Sequence, residues 1–163
     1  MVRPVRDADL GDILAWRNQP HVRAGMFTQH EIAPDEHHSW FERSTNNVAR
    51  RLLIVERAGI PLGFVNFDGV EAGGIATWGF YAAVGAPGGS GSVMGAAALS
   101  FIFSDTALHK VCGQVLGFNH ASLRMHEKLG FRQEGLLRQQ HRMGDTYHDI
   151  ICFGLLREEW AGN

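Results

Sequence analysis

Between Gly85 and Ser92 the chain reads Gly-Ala-Pro-Gly-Gly-Ser-Gly-Ser, and the residues that follow, Val93 to Ser104, are alanine-rich and apolar. A glycine-rich turn that opens a helix presents several free backbone N–H groups at the positive end of the helix dipole. Glycine also lets the backbone wrap closely around an anion. The chemistry this spacing supports is phosphate binding through main-chain amides; a mobile surface turn is the other reading of the same composition. Two sharper phosphate motifs are excluded. A P-loop needs Lys and then Ser or Thr after its last glycine, and here Ser92-Val93-Met94 follows instead. A dinucleotide fold wants its glycine turn after an early strand and an acid near the end of the next one, where Leu116-Gly117-Phe118-Asn119 has none.

Other reactive side chains are scattered. None of the nine histidines shows HExxH spacing, and His37 and His38 are neighbours that point apart on a helix, so no metal site is expected. Cys112 and Cys152 each stand inside an apolar strand pattern and outside any CxxC, so buried reduced thiols are expected rather than a disulfide or an acetyl-cysteine. With 15 Lys and Arg against 17 Asp and Glu, the net charge is -2 and no basic run could follow a nucleic acid or an anionic membrane. The chain opens Met-Val-Arg-Pro without an apolar leader, and no stretch is long enough to span a bilayer; a cytoplasmic location is the expectation. At 163 residues and 45% hydrophobic, residues 1–163 are expected to form one domain.

The elements that must position these residues follow from periodicity. Val2 to Arg6 reads as a short strand, and Asp7 caps a helix carrying Leu10, Ile13 and Leu14, with Pro20 as its stop. His21 to Ala33 is irregular. A second helix opens near Pro34 with Asp35 and Glu36 in its first turn and with His37, Trp40 and Phe41 on one face. Arg51 to Arg57 and Pro61 to Asp68 form a hairpin, and Ile75 to Ala82 is the strand before the glycine turn. Lys110 to Leu116 is the strand after the helix, Asn119 opens a further helix, and Leu136 to Arg142 pairs with Tyr147 to Leu156 across Gly144-Asp145. The order β-α-α-β-β-β-α-β-α-β-β predicts an α/β (α+β) fold, mostly antiparallel with one parallel crossover.

That order, with a glycine turn after the fourth strand and Asn119-His-Ala-Ser122-Leu-Arg-Met-His126-Glu-Lys-Leu-Gly130-Phe131 after the fifth, resembles the GNAT superfamily of acyl-CoA-dependent N-acetyltransferases. The resemblance implies a mixed seven-stranded sheet whose fourth and fifth strands are parallel and splayed, with about four helices. Acetyl-CoA would lie in the splay as co-substrate, with no metal. The acetyl group would sit beside Phe80, Tyr81 and Ala82, the pyrophosphate on the amides of Gly88, Gly89, Ser90, Gly91, Ser92 and Val93, and the remainder against Asn119 and Ser122. Ala86 departs from the family's Q/R-x-x-G-x-G/A pattern, which removes a side-chain contact to phosphate.

Within the superfamily, Trp16-Arg17-Asn18, Met26-Phe27-Thr28, Trp78-Gly79-Phe80-Tyr81 and Phe153 to Trp160 resemble the branch that acetylates a UDP-linked 4-amino-4,6-dideoxy sugar in pseudaminic-acid biosynthesis. The acceptor implied is a small-molecule amine, a nucleotide sugar, bound by Arg17, Met26, Phe27, His30 and Trp40; a homodimer is plausible for the family. His126 stands where many relatives place the Tyr that protonates the leaving thiolate. A backbone N–H near Tyr81 would take the oxyanion, and His30 and His37 are candidate bases. Each of these histidines has a packing or capping reading beside its chemical one. Two alternatives remain: a protein N-terminal or polyamine acceptor, and an acyl-CoA sensor without turnover.

Overall fold

The computed structural model describes residues 1–161. Seven strands make one sheet in the order β1-β2-β3-β4-β5-β7-β6. They are β1 (Val2–Pro4), β2 (Arg50–Arg57), β3 (Ile60–Asp68), β4 (Ile75–Ala82), β5 (Lys110–Leu116), β6 (Arg132–Met143) and β7 (Thr146–Leu156). Only β4 and β5 run parallel; the other neighbouring pairs are antiparallel. The expected mixed sheet is therefore present.

Alternation along the strands sends side chains to two layers. Leu53, Val55, Val65, Phe67, Trp78, Val111 and Leu155 face one way and are covered by α4 (Ser90–Asp105) and α5 (His120–Lys128). Leu52, Ile54 and Phe64 face the other way, against Ile13 and Trp16 of α1 (Leu10–Arg17) and Phe41 of α3 (Pro34–Thr45). Gly95 lets α4 lie close to its neighbours, since a Cβ there would stand 2.4 Å from Leu129 Cδ1.

Helices differ from expectation in number: among the described residues six α-helices are present rather than about four, counting α2 (Pro20–Ala24) and α6 (Arg157–Ala161). Pro20 does not merely stop α1. It occupies the first turn of α2, where its missing N–H costs nothing and its fixed φ suits the helix. β6 starts at Arg132, four residues before the predicted strand at Leu136, because an edge strand exposed on both faces carries no alternation to read. The first strand ends at Pro4 rather than Arg6. No helix among the described residues is long and apolar enough to cross a membrane.

The feature that positions the site is where one pairing stops. β4 and β5 pair at Ile75↔Lys110, Ala76↔Val111 and Thr77↔Cys112, and no further. Beyond that point β3 still holds β4 as far as Ala82, and β7 still holds β5 as far as Leu116. Two supported strands thus diverge, leaving their facing backbone edges without each other.

Candidate active site

A cleft of about 470 Å³ occupies the divergence. Trp78, Gly79, Phe80, Tyr81 and Ala82 form its β4 wall, and Gln114 and Val115 its β5 wall. Met94, Met125 and His126 close it from the side of α4 and α5, while His21, Val22, Gly25, Met26 and Phe27 close it from α2 and the loop after it. The cleft is thus lined from both layers of the sheet.

At the α4 end, Gly89 takes the left-handed φ of +85° that the turn needs and α4 starts at the next residue. The N–H groups of Gly88, Gly89 and Gly91 donate to no backbone carbonyl among the described residues, whereas Ser90 and Ser92 N–H close short turns onto Pro87 and Gly89. Unused donors at a helix N-terminus beside a cleft fit an anionic group, and open space around Gly88 and Gly89 leaves them approachable. Gly89, Gly91 and Ser92 line the cleft; Gly88, Ser90 and Val93 belong to the same turn but lie off its wall. Ser90 is buried and its Oγ donates to Pro87 O at 2.7 Å.

Opposite, Asn119 caps α5 by accepting from Ser122 N at 3.2 Å, and both residues line the cleft. Gly25 of the loop after α2 rests against this cap, since a Cβ there would come within 2.7 Å of Asn119 Nδ2. The loop itself is tied down from α1 and α2. Arg17 Nη2 donates to Thr28 O at 2.7 Å, Arg23 Nε to Gln29 O at 3.0 Å, and Asn18 Nδ2 to Ile32 O at 2.9 Å. Phe27 meets the His141 ring edge-on at 5.2 Å, so the β6–β7 hairpin braces it from the far side.

Several expected site residues are elsewhere. Arg17 and Trp40 are not on the cleft wall: Arg17 holds the loop backbone, and Trp40 packs edge-on against Phe64 at 5.9 Å. His30 sits outside, 3.1 Å from both Glu36 carboxylate oxygens. His37 is 6% exposed against Trp40, and burial, with His38 nearby, pulls its pKa down. Neither His30 nor His37 lines the cleft, so the structure does not bring these two candidate bases to it. Met26, Phe27, Phe80, Tyr81 and Ala82 do line it.

Tyr81 turns its ring onto Phe64 at 5.1 Å, and burial pushes its phenol pKa well up, opposed in part by the Arg17 charge. His126 also lines the cleft, but it is 2% exposed and both ring nitrogens are engaged. Trp78 Nε1–H donates to Nε2 at 3.1 Å, which leaves Nδ1 to carry the proton and donate it to Ser122 O at 2.8 Å. Burial lowers its pKa. With Nε2 accepting from the indole, the ring stands in a neutral, hydrogen-bonded arrangement.

Among the described residues on the cleft wall, the titratable side chains are His21, Tyr81 and His126, and none is a carboxylate. His21, Gln114 and Trp78 were not foreseen from the sequence. Reading Pro20 as the start of a helix would have brought His21 to notice; nothing local marks Gln114.

The sequence model of the acetyltransferase (GNAT) domain matches residues 1–132. The SPbeta prophage-derived uncharacterized N-acetyltransferase YokL of Bacillus subtilis (strain 168) is 38% identical over 128 residues, 76% of this chain and 71% of that protein. Among solved structures, the spermidine N-acetyltransferase of Vibrio cholerae in complex with CoA and spermine superposes with a TM-score of 0.89 at 22% identity, over 99% of this chain and 97% of that one. A ribosomal-protein-alanine N-acetyltransferase from Brucella melitensis does so with a TM-score of 0.79 at 20% identity, over 96% and 99%. At such identities these two likenesses speak to the fold alone.

Proposed function

Because this chain belongs to the GNAT acetyltransferase family, we propose that it moves acetyl from acetyl-CoA to the 4-amino group of a UDP-linked 4-amino-4,6-dideoxy sugar. The observation that carries the transfer reaction is the cleft, lined from both layers, where β4 leaves β5. A co-substrate entering from the α4–α5 layer and an amine entering from the α2 layer meet there without either having to pass the other.

Acetyl-CoA supplies an activated thioester carbonyl. In this reading the free N–H groups of Gly88, Gly89 and Gly91 hold its pyrophosphate, with Ser92, Asn119 and Ser122 beside it. The turn does without the basic or amide side chain that Ala86 replaces. Backbone N–H groups between Phe80 and Ala82 stabilise the developing oxyanion. The amine nitrogen attacks the carbonyl carbon, the C–N bond forms, the C–S bond breaks, and sulfur leaves as a thiolate. A thiol of ordinary pKa, about 8.5, leaves competently in that form and takes its proton from water.

The attacking amine must first lose a proton. Of the three titratable groups on the wall, Tyr81 is a half-buried phenol whose pKa burial pushes up, and His126 has no free nitrogen, so in this reading His21 of α2 serves as the base. Met26 and Phe27 offer an apolar wall to a 6-deoxy methyl group or a base. The absence of carboxylates among the described wall residues favours a sugar amine over a polyamine, which needs anionic partners. The reading includes a homodimer, supported by the exposed Leu136 and Leu137 on edge strand β6.

Thiol release from acetyl-CoA tests this with three amines in parallel: the UDP-4-amino-4,6-dideoxy sugar, spermidine and a peptide with a free N-terminus. Turnover with the sugar alone is expected. Turnover with the peptide or spermidine alone overturns the acceptor but keeps the chemistry; acetyl-CoA binding with no turnover on any amine overturns both and leaves a sensor.

A further inference from the structure

At the vertex of the splay two side chains far apart in the chain meet, Trp78 of β4 and His126 of α5. Trp78 is the first β4 residue beyond the last β4–β5 pair, Thr77↔Cys112. Its indole N–H crosses to His126 Nε2 on α5 at 3.1 Å, passing over Gly113, the first β5 residue beyond that same pair. Gly113 is the residue that permits the crossing: a Cβ there would stand 2.5 Å from His126 Nε2 and 2.9 Å from Trp78 Nε1. Any side chain at position 113 would push the two rings apart.

The pair is held on every side. Trp78 stacks on Phe131 at 5.1 Å and on Phe67 at 6.0 Å, and His126 stacks on Phe153 of β7 at 4.9 Å and meets Phe131 edge-on at 5.0 Å. Phe80 touches both. The groups that face the imidazole are thus Trp78 and Phe80 from β4, Gly113 from β5, Phe153 from β7, Phe131 from the turn after α5, and the Ser122 carbonyl from its own helix. None of these carries a charge. A second proton on His126 would set an Nε2–H against the indole N–H, with no acceptor for either.

We propose that Trp78 and His126 are positioning residues: their hydrogen bond over Gly113 fixes where β4 parts from β5 and so sets the width of the cleft, with His126 held as the Nδ1–H tautomer rather than serving as a proton donor. The proposal rests on the cleft being the acetyl-CoA site, since that is the ligand whose fit the width controls. It makes the imidazole a spacer with a polar end, in a place where a reactive side chain would otherwise be assumed.

The test has two arms. Ring nitrogen-15 NMR on wild-type protein without ligand reads the tautomer directly. Nδ1–H with a hydrogen-bonded Trp78 indole proton near neutral pH is expected; an Nε2–H tautomer or an imidazolium overturns the proposal. This arm stands even if no amine is ever acetylated, so failure of the functional reading is separable from failure of the proposal. Steady-state kinetics is the second arm. Trp78→Phe keeps a ring and loses the donor, and should raise the KM for acetyl-CoA about fivefold with kcat within about twofold. His126→Gln keeps an acceptor for the indole N–H without a transferable proton, and should hold both constants within about threefold of wild type. A loss of about 100-fold in kcat for His126→Gln at unchanged KM, or an unchanged KM for Trp78→Phe, overturns it.

Discussion

Asn18 and Ile32 exchange two hydrogen bonds across the base of the loop that closes the cleft from the α2 side: Asn18 Nδ2 donates to Ile32 O at 2.9 Å, and Ile32 N–H donates to Asn18 Oδ1 at 2.8 Å. One side-chain amide thereby satisfies both main-chain groups of a residue that no strand or helix serves. Arg17 secures the same loop at Thr28, so two of the three residues in the Trp16-Arg17-Asn18 run tie the loop down.

Replacing Asn18 by Ala leaves the Ile32 main chain to find new partners, at a cost of about 1–3 kcal/mol if it stays dry. The expected kinetic result is a KM for the acceptor amine raised several-fold with the KM for acetyl-CoA unchanged. Equal change in both constants would show that the loop serves the whole cleft. Steady-state titration of each substrate in turn decides between them.

His21→Ala removes the proposed base. General-base catalysis is worth about 10²-fold to 10⁴-fold, so kcat/KM should fall by at least about 100-fold at neutral pH. The deficit should narrow as pH rises towards the pKa of the amine itself, because an amine that is already neutral needs no base. A pH-rate profile of both proteins checks this, and a constant ratio across the range would remove His21 from the chemistry.

Burial lowers the pKa of both His126 and His37, so the folded state favours their neutral forms. The unfolded chain then binds more protons as pH falls below an ordinary histidine pKa of about 6.5. The stability these rings contribute is fully present above that pH and is lost below it. Melting temperature should therefore decline as pH drops from about 6.5, and His126→Gln should flatten part of the decline. Asp9 and Asp68, whose carboxyls are held low by hydrogen bonds from Arg3 and Arg50, add their own loss only nearer to pH 4 and below.

Arg157 is the cap of α4 from a distance. Its Nε donates to Leu108 O and its Nη1 to Phe103 O, each at 2.6 Å, while Nη2 donates to Thr106 O and the guanidinium lies 5.3 Å from the Phe103 ring centre. These carbonyls lie at and just after the negative end of the helix dipole. Arg157→Ala should cost about 2–4 kcal/mol, seen as a drop of several degrees in melting temperature. Arg157→Lys should recover only part of it, since one ammonium cannot reproduce the fork. Acetyl-CoA KM at low temperature should be unchanged, because no cleft residue is touched.

Gly89 stands at φ +85° with nothing near its missing Cβ, so Gly89→Ala meets backbone strain and no clash. A cost of about 1 kcal/mol is expected. If the strain is relieved by turning the peptide, the free amides turn with it, and acetyl-CoA affinity measured by calorimetry should fall more than stability does. Equal loss of both would place the turn outside the binding site.

Local pattern was enough for much of this protein. The bounds of β4 and β5 could be read off alternation, the cap at Asn119 off a single polar residue before a helical stretch, and the glycine turn off composition, because each of these is decided by neighbours within a few residues. The order of elements then left few ways to build the sheet, and the Asn119 to Phe131 run pointed to the family that the comparisons bear out. Where residues are exposed or serve distant partners, that signal vanished. β6 begins earlier than its pattern suggests, because an edge strand facing water on both sides has no reason to alternate. The histidines were least legible. His30, His37 and His126 all carry a chemical reading in the sequence, yet one pairs with Glu36 outside the cleft, one is buried against Trp40, and one is held by an indole 48 residues away. His21 reaches the wall only because α2 turns it there. A residue's type and spacing say what proton chemistry it is capable of. Its protonation state depends on the burial and hydrogen-bond partners that tertiary packing brings from far along the chain, and that part of the site existed only once the sheet had opened around it.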